Sequence, residues 1–245
     1  MLQSFDTAQF IQMTSGGADL VVLAGDLNTE PGDLAYRLML SVPGLVDAFN
    51  EAGETALDIV ATNESLTNSY TPPSLVKKNI PGKRIDYIMY HPGSNLQIDL
   101  KSYSLPLPDR VPGCDYSYSD HEAVAATLVI SKNDVLAAKE DLQMKKTVLE
   151  ESIQICDEAL KSLGHNKYLY WFFTFVLLVL LVTTLATNSP FGLNFVYHIL
   201  KVVITVFMFY TLIMATIWNK IEKHAVIAGK LAMSTALRKL KTKDS

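Results

Sequence analysis

Tyr118-Ser119-Asp120-His121-Glu122-Ala123 sets an acid and an imidazole side by side, directly before the apolar run Ala123–Ile130. A run of that length and composition predicts a buried strand. A Ser-Asp-His corner leading into it would hold Asp120 and His121 rigidly at the strand's mouth. Taken alone, the pair fits a polar surface corner equally well, so its meaning turns on two stretches far away in the chain.

The first is Ala18–Ala24, a β-branched apolar run that opens into Gly25-Asp26-Leu27-Asn28-Thr29-Glu30-Pro31. Polar residues at the end of a buried strand are held still, which suits a site. On a continuing strand Asp26 and Asn28 would point the same way. The carboxylate can hold a metal or accept a proton, and the amide can hold a phosphate oxygen. The same four residues also read as a turn and N-cap for a helix over 31–40. The second stretch is Lys83-Arg84-Ile85-Asp86-Tyr87-Ile88-Met89-Tyr90, a strand with a carboxylate between Ile85 and Ile88. A buried carboxylate is costly unless paired. Its partner is either Arg84 or Lys83 nearby, or His121, whose tautomer it would then fix.

Around these stretches the pattern is mixed α/β. Phe5–Thr14 has helical spacing and stops at Ser15-Gly16-Gly17. Leu96–Tyr103 alternates as a strand. Residues 51–79 are rich in Thr, Asn and Ser and read as a long loop near a substrate entrance, without chemistry of their own.

Charge divides the 245-residue chain. Residues 1–131 hold 7 Lys and Arg against 16 Asp and Glu, a balance of −9, whereas the remainder holds 14 against 9, a balance of +5. An acidic surface is a poor match for a duplex nucleic-acid backbone. It suits a site that collects divalent cations. Two cysteines, Cys114 and Cys156, imply no disulfide framework and fit a reducing environment. The N-terminus lacks the charged-then-apolar pattern of a signal peptide.

Gly25-Asp26-Leu27-Asn28, Arg84-Ile85-Asp86-Tyr87 and Ser119-Asp120-His121, in that order and each at a strand end, resemble the last three motifs of the DNase-I-like endonuclease/exonuclease/phosphatase superfamily. The resemblance covers about residues 20–130. It implies a four-layered α/β sandwich with two packed sheets, of which this chain would carry the C-terminal half, and a Mg²⁺ site at one end. It further implies that Asp26 aligns or deprotonates an attacking water and that Asn28 binds a phosphate oxygen. Asp120 becomes a metal or outer ligand. His121 is the catalytic imidazole, as general base or phosphate ligand, and Asp86 orients it. The implied chemistry is water attack at phosphorus with Mg²⁺ neutralising the oxygens.

Beyond residue 131 the character changes. Residues 132–165 predict an amphipathic linker helix, with a narrow stripe through Leu149, Ile153, Cys156, Leu160 and Leu163 that Gly164 closes. The stripe fits either a helix lying on a surface or a short coiled-coil homodimer. Residues 168–187 carry no charged side chain and at helical rise span about 30 Å, enough to cross a bilayer. A second such run covers 195–218, with Lys201 placed to snorkel. Tyr168, Tyr170, Trp171 and Trp218 mark one shared interface, and lysines flank both outer ends. The prediction is a transmembrane hairpin over 166–220, with the soluble domain (1–131) and a basic tail (221–245) both cytosolic. The endoplasmic reticulum, another internal membrane and the plasma membrane all fit.

A phosphodiesterase-like domain followed by a two-span anchor resembles the mammalian-type neutral sphingomyelinase family. That resemblance implies a Mg²⁺-dependent sphingomyelin phosphodiesterase, releasing ceramide and phosphocholine at a bilayer, where anchoring raises the effective substrate concentration. One departure stands out. Family members carry a metal-ligating Glu and a further catalytic His ahead of the Gly-Asp-Leu-Asn strand, and residues 1–24 contain neither residue type. The expectation is an N-terminally truncated form with impaired activity or none alone. The alternative is a non-catalytic membrane-anchored interaction module derived from the enzyme. A nuclease or inositol-phosphate phosphatase agrees less well with the −9 charge balance and the hairpin.

Overall fold

Apolar periods of two and of three to four alternate through the acidic half, and strands and helices alternate accordingly. The computed structural model describes residues 1–52, 61–93, 96–107, 110–132, 141–189 and 192–243. In chain order the elements are α1 (Leu2–Thr14), β1 (Leu20–Asp26), α2 (Leu34–Ser41), β2 (Val46–Asp47), α3 (Ala48–Ala52), α4 (Pro73–Lys77), β3 (Asp86–Pro92), β4 (Leu96–Ser104) and β5 (Ala125–Lys132). Then follow α5 (Leu142–Ala186), α6 (Asn194–Ile213), a π-helical turn (Met214–Trp218) and α7 (Asn219–Lys243). The chain divides into two compact units, Met1–Leu149 and Glu150–Ser245.

In the first unit β3 lies between β1 and β2, and β4 pairs with β5 in a second sheet; all pairings are antiparallel. Side chains on β3 alternate between faces. Tyr87 and Met89 point one way and are fully buried, with the Tyr87 ring 5.3 Å from that of Tyr36 on α2. Ile88 and Tyr90 point the other way. There Tyr90 joins Ala48, Phe49 and Tyr103, packed by Ile98, Leu100, Ala126 and Leu128 from the second sheet. A strand covered on both faces has no room for polar alternation, which explains the continuous apolar run after Asp86. Helix α1 packs on α2, burying Phe5 and Ala8. The layers seen are thus helices, a sheet and a second sheet, consistent with part of a DNase-I-like sandwich.

The core contains a full charge pair. Arg84 Nη1 donates to Asp47 Oδ2 at 2.8 Å, with the side chains 4% and 0% exposed. Asp47 also accepts from the Tyr36 hydroxyl at 2.8 Å and from the Phe49 N–H at 3.0 Å. The guanidinium lies 4.4 Å from the Phe49 ring centroid and 4.7 Å from that of Tyr87. Burial works against the Arg84 charge, but the Asp47 hydrogen bond and field outweigh it, and the pKa is raised. Arg84 is therefore committed to Asp47, which leaves Asp86 to another partner.

In the second unit the structure departs from the sequence reading. Helix α5 runs unbroken for 45 residues, so the linker helix and the first apolar run share one element. Gly164 sits inside it instead of closing it. A glycine inside a helix costs only about 1 kcal/mol, and the helix-forming residues on both sides hold the ladder together. The part of the linker helix before residue 141 lies outside the described residues. The basic tail likewise continues as helix α7. Two helices, Leu142–Ala186 and Asn194–Thr242, contain stretches long and apolar enough to cross a membrane, and little of those stretches is buried by the protein itself. Thr174 Oγ1 on α5 donates to Thr211 Oγ1 on α6 at 2.9 Å, a polar link between the apolar helices. Two ion pairs, Lys230 with Asp157 and Lys241 with Glu150, join α7 to α5.

Asp47→Ala strands a buried guanidinium. It is expected to destabilise the first unit by about 3–5 kcal/mol, read from urea denaturation of the detergent-solubilised chain followed by circular dichroism.

Candidate active site

The β1–β3 register places Asp26 directly opposite Asp86. Like charges facing across a ladder repel, so each needs its own donors. For Asp26 they come from Asn28. The strand ends at Asp26, and Asn28 takes a left-handed φ of 48°. That conformation folds Asn28 back, so that its N–H donates to Asp26 Oδ1 at 2.8 Å and its Nδ2 to Oδ2 at 3.1 Å. Of the two readings the sequence left open, strand alternation and a turn, it is the side-chain-capped turn that brings the two residues together.

For Asp86 the partner is His121. His121 Nδ1 lies 2.9 Å from Asp86 Oδ2, in a partly buried contact. Partial burial pulls the imidazole pKa down. The hydrogen bond to Asp86, its charge, and the charges of Asp120 and Asp26 outweigh that, so the pKa is raised from its ordinary value. Asp26, Asp86, Asp120 and His121, three motifs far apart in sequence, therefore act on one another. Asp120 is exposed and accepts from the Ser119 hydroxyl at 3.1 Å.

A further part of the site lies in the loop to which the sequence assigned no chemistry. Thr62 and Asn63 are clamped between the Lys83–Asp86 and His121–Glu122 segments. The Thr62 hydroxyl accepts from the N–H groups of Ile85 and Asp86, each at 3.1 Å. The Thr62 carbonyl accepts from Glu122 N–H at 2.7 Å, and Asn63 exchanges two 2.9 Å backbone bonds with Lys83. Asn63 Nδ2 reaches His121 Nε2 at 3.1 Å. Farther along, buried Asn68 ties the loop to Ser119 O at 2.9 Å and to Glu122 at 3.1 Å. A Thr-Asn pair in a polar loop carries no periodic signal, so nothing in the sequence marked it out.

Among the described residues no group of three or more His, Cys, Asp and Glu side chains could hold a metal ion. The donors present are nonetheless of the hard oxygen type. Mg²⁺ commonly takes only one or two carboxylates and fills its shell with water and phosphate oxygens. The exposed Asp120 carboxylate fits such a role.

Comparison with known proteins gives the chain's relatives. Residues 5–121 match the model of the endonuclease/exonuclease/phosphatase family. Over those residues the chain is similar to that family. It is 30% identical over 97% of its length to a Drosophila melanogaster protein named "Putative neutral sphingomyelinase", covering 64% of that protein. It is 37% identical to human sphingomyelin phosphodiesterase 2 over 52% of this chain and 30% of the relative. It is 24% identical to the inositol phosphosphingolipids phospholipase C of Saccharomyces cerevisiae over 81% of this chain and 46% of that one. The chain thus spans between about a third and two thirds of these relatives. The family is of a metal-dependent phosphodiesterase type.

Because the His121 pKa is higher folded than unfolded, the charged ring contributes stability below about pH 6.5, and this is lost as pH rises through the folded value. Asp86→Asn is expected to lower the His121 midpoint towards the ordinary value in an NMR titration. An unchanged midpoint would show that Asp86 does not set it.

Proposed function

We propose that the chain carries the imidazole half of a Mg²⁺-dependent phosphodiesterase that hydrolyses sphingomyelin to ceramide and phosphocholine at a membrane surface. The observation that carries this reading is His121 held by Asp86 across from the Asp26–Asn28 turn. An oriented imidazole, a carboxylate for water and an amide for a phosphoryl oxygen are the parts that attack at phosphorus needs. The names of the relatives supply the lipid, and two exposed apolar helices supply a means of meeting it.

In this reading Asp26 aligns the attacking water and Asn28 binds a phosphoryl oxygen. His121 Nε2 takes the water's proton, and Asp86 stabilises the imidazolium that results. The new bond joins water oxygen to phosphorus; the bond from phosphorus to the ceramide oxygen breaks, that oxygen takes a proton from solvent, and His121 returns its own to solvent. Asp120 would hold the Mg²⁺, whose chemistry there is neutralisation of charge on the phosphoryl oxygens. Both helices enter the membrane as a hairpin, with the first unit and α7 on the cytosolic side of an internal or plasma membrane. The described carboxylates do not gather into a self-sufficient metal cage, so this chain alone is expected to be a slow enzyme. The same observation favours a second reading, a non-catalytic membrane-anchored interaction module.

The test is sphingomyelin hydrolysis by the purified chain in mixed micelles. The expected outcome is slow phosphocholine release that stops with EDTA, returns with Mg²⁺, and falls about 10²- to 10⁴-fold in His121→Ala. Release indifferent to EDTA or to His121→Ala would sink the enzymatic reading. Binding to sphingomyelin vesicles without any release would favour the module.

A further inference from the structure

The imidazole is held at both ring nitrogens, and the second contact points to a residue with no assigned role. Asp86 can only accept a hydrogen bond, so the hydrogen between it and His121 sits on Nδ1. The Asn63 amide nitrogen can only donate, so Nε2 presents its lone pair to it. The two contacts, at 2.9 Å and 3.1 Å, therefore specify the same neutral tautomer from opposite sides. Nε2 is also the atom that must receive a proton in the hydrolytic reading.

We infer that Asn63 is a positioning residue for His121: it holds the ring plane and keeps the Nε2 lone pair aimed at the place where the reacting oxygen arrives. For the reaction that it serves, this inference rests on the phosphodiesterase reading. The backbone around Asn63 is built for such a task. Asn63 forms one bridge with Lys83 and another with His121, so a single residue joins the second and third motifs. Gly82 presses against it. A Cβ placed there would lie 2.2 Å from Asn63 O and 2.6 Å from the Glu64 carbonyl carbon, and both obstacles are backbone. Only glycine lets the segment come this close. Asn63 also lines one 250 Å³ cavity with Asn28, so the amide on the imidazole and the amide assigned to phosphate share a wall. Incoming substrate can take over Nε2 while the Asn63 amide, released, remains beside it.

The experiment compares wild type, Asn63→Ala and Gly82→Ala as full chains in detergent, with ¹⁵N-labelled histidine. At a fixed pH where the ring is neutral, both variants are expected to shift the His121 Nε2 resonance. Asn63→Ala should leave the other histidines and the unfolding midpoint in place, whereas Gly82→Ala, whose Cβ meets backbone, should lower that midpoint as well. Where the chain turns over sphingomyelin, kcat is expected to fall about 10- to 100-fold with KM changed by less than about twofold. A merely structural Asn63 would lower the unfolding midpoint without this split. An Nε2 resonance unmoved in Asn63→Ala would overturn the inference whether or not the chain is active. Should Gly82→Ala not fold, Asn63→Ala decides alone. Absent turnover in wild type bears on the enzymatic reading, whereas the ring resonance bears on Asn63.

Discussion

The antiparallel register of β1 on β3 is the constraint from which the site follows. It sets Asp26 opposite Asp86 at the end of a strand pair that is apolar elsewhere. Slipping the pair by one residue would turn every side chain of the strand to the other face, burying Asp86 where Tyr87 now packs on Tyr36. The register is protected because Tyr87 and Met89 on one face, and Ile88 and Tyr90 on the other, each meet a different apolar surface. Core packing thereby positions two carboxylates at the sheet's rim. Local donors from Asn28 and His121 then make their proximity tolerable.

Two buried or half-buried carboxylates, Asp47 and Asp86, take different partners, Arg84 and His121, and the two pairs differ in their surroundings. Asp47 and Arg84 are sealed among Tyr36, Phe49 and Tyr87, where neither can change partner without a large desolvation cost. Asp86 and His121 sit nearer solvent, and the second nitrogen of their ring meets only the Asn63 amide among the described residues. The first pair is sealed in the core, and the second stands at the rim of the sheet. The commitment of Arg84 to Asp47 also keeps a permanent cation away from Asp86, so that the carboxylate is available to orient an imidazole.

The two units solve opposite burial problems. In the first, polar groups are buried and each must find a partner, which accounts for the web around Thr62, Asn68 and Glu122. In the second, large apolar side chains such as Phe172, Phe175, Phe195 and Val202 are left uncovered. Water is a poor surrounding for such a surface, and a lipid bilayer is a good one.

The sequence by itself determined the alternation of strands and helices in the acidic half, the two apolar helices, and the three motifs that meet at His121. These are legible because they rest on short-range periodicity and on charges placed where the apolar pattern breaks. Tertiary structure alone decided which partner each charge takes. Arg84 and His121 were both open to Asp86, and only the packing of Arg84 beneath Phe49 and Tyr87 settles the choice. It also brought Thr62 and Asn63 to the site, because a polar loop has no periodicity to announce where its backbone hydrogen bonds end. Gly164 shows the same limit from the other side. A helix stops where its continuation is worth less than its termination, and that balance depends on the helix-forming residues to either side more than on one glycine.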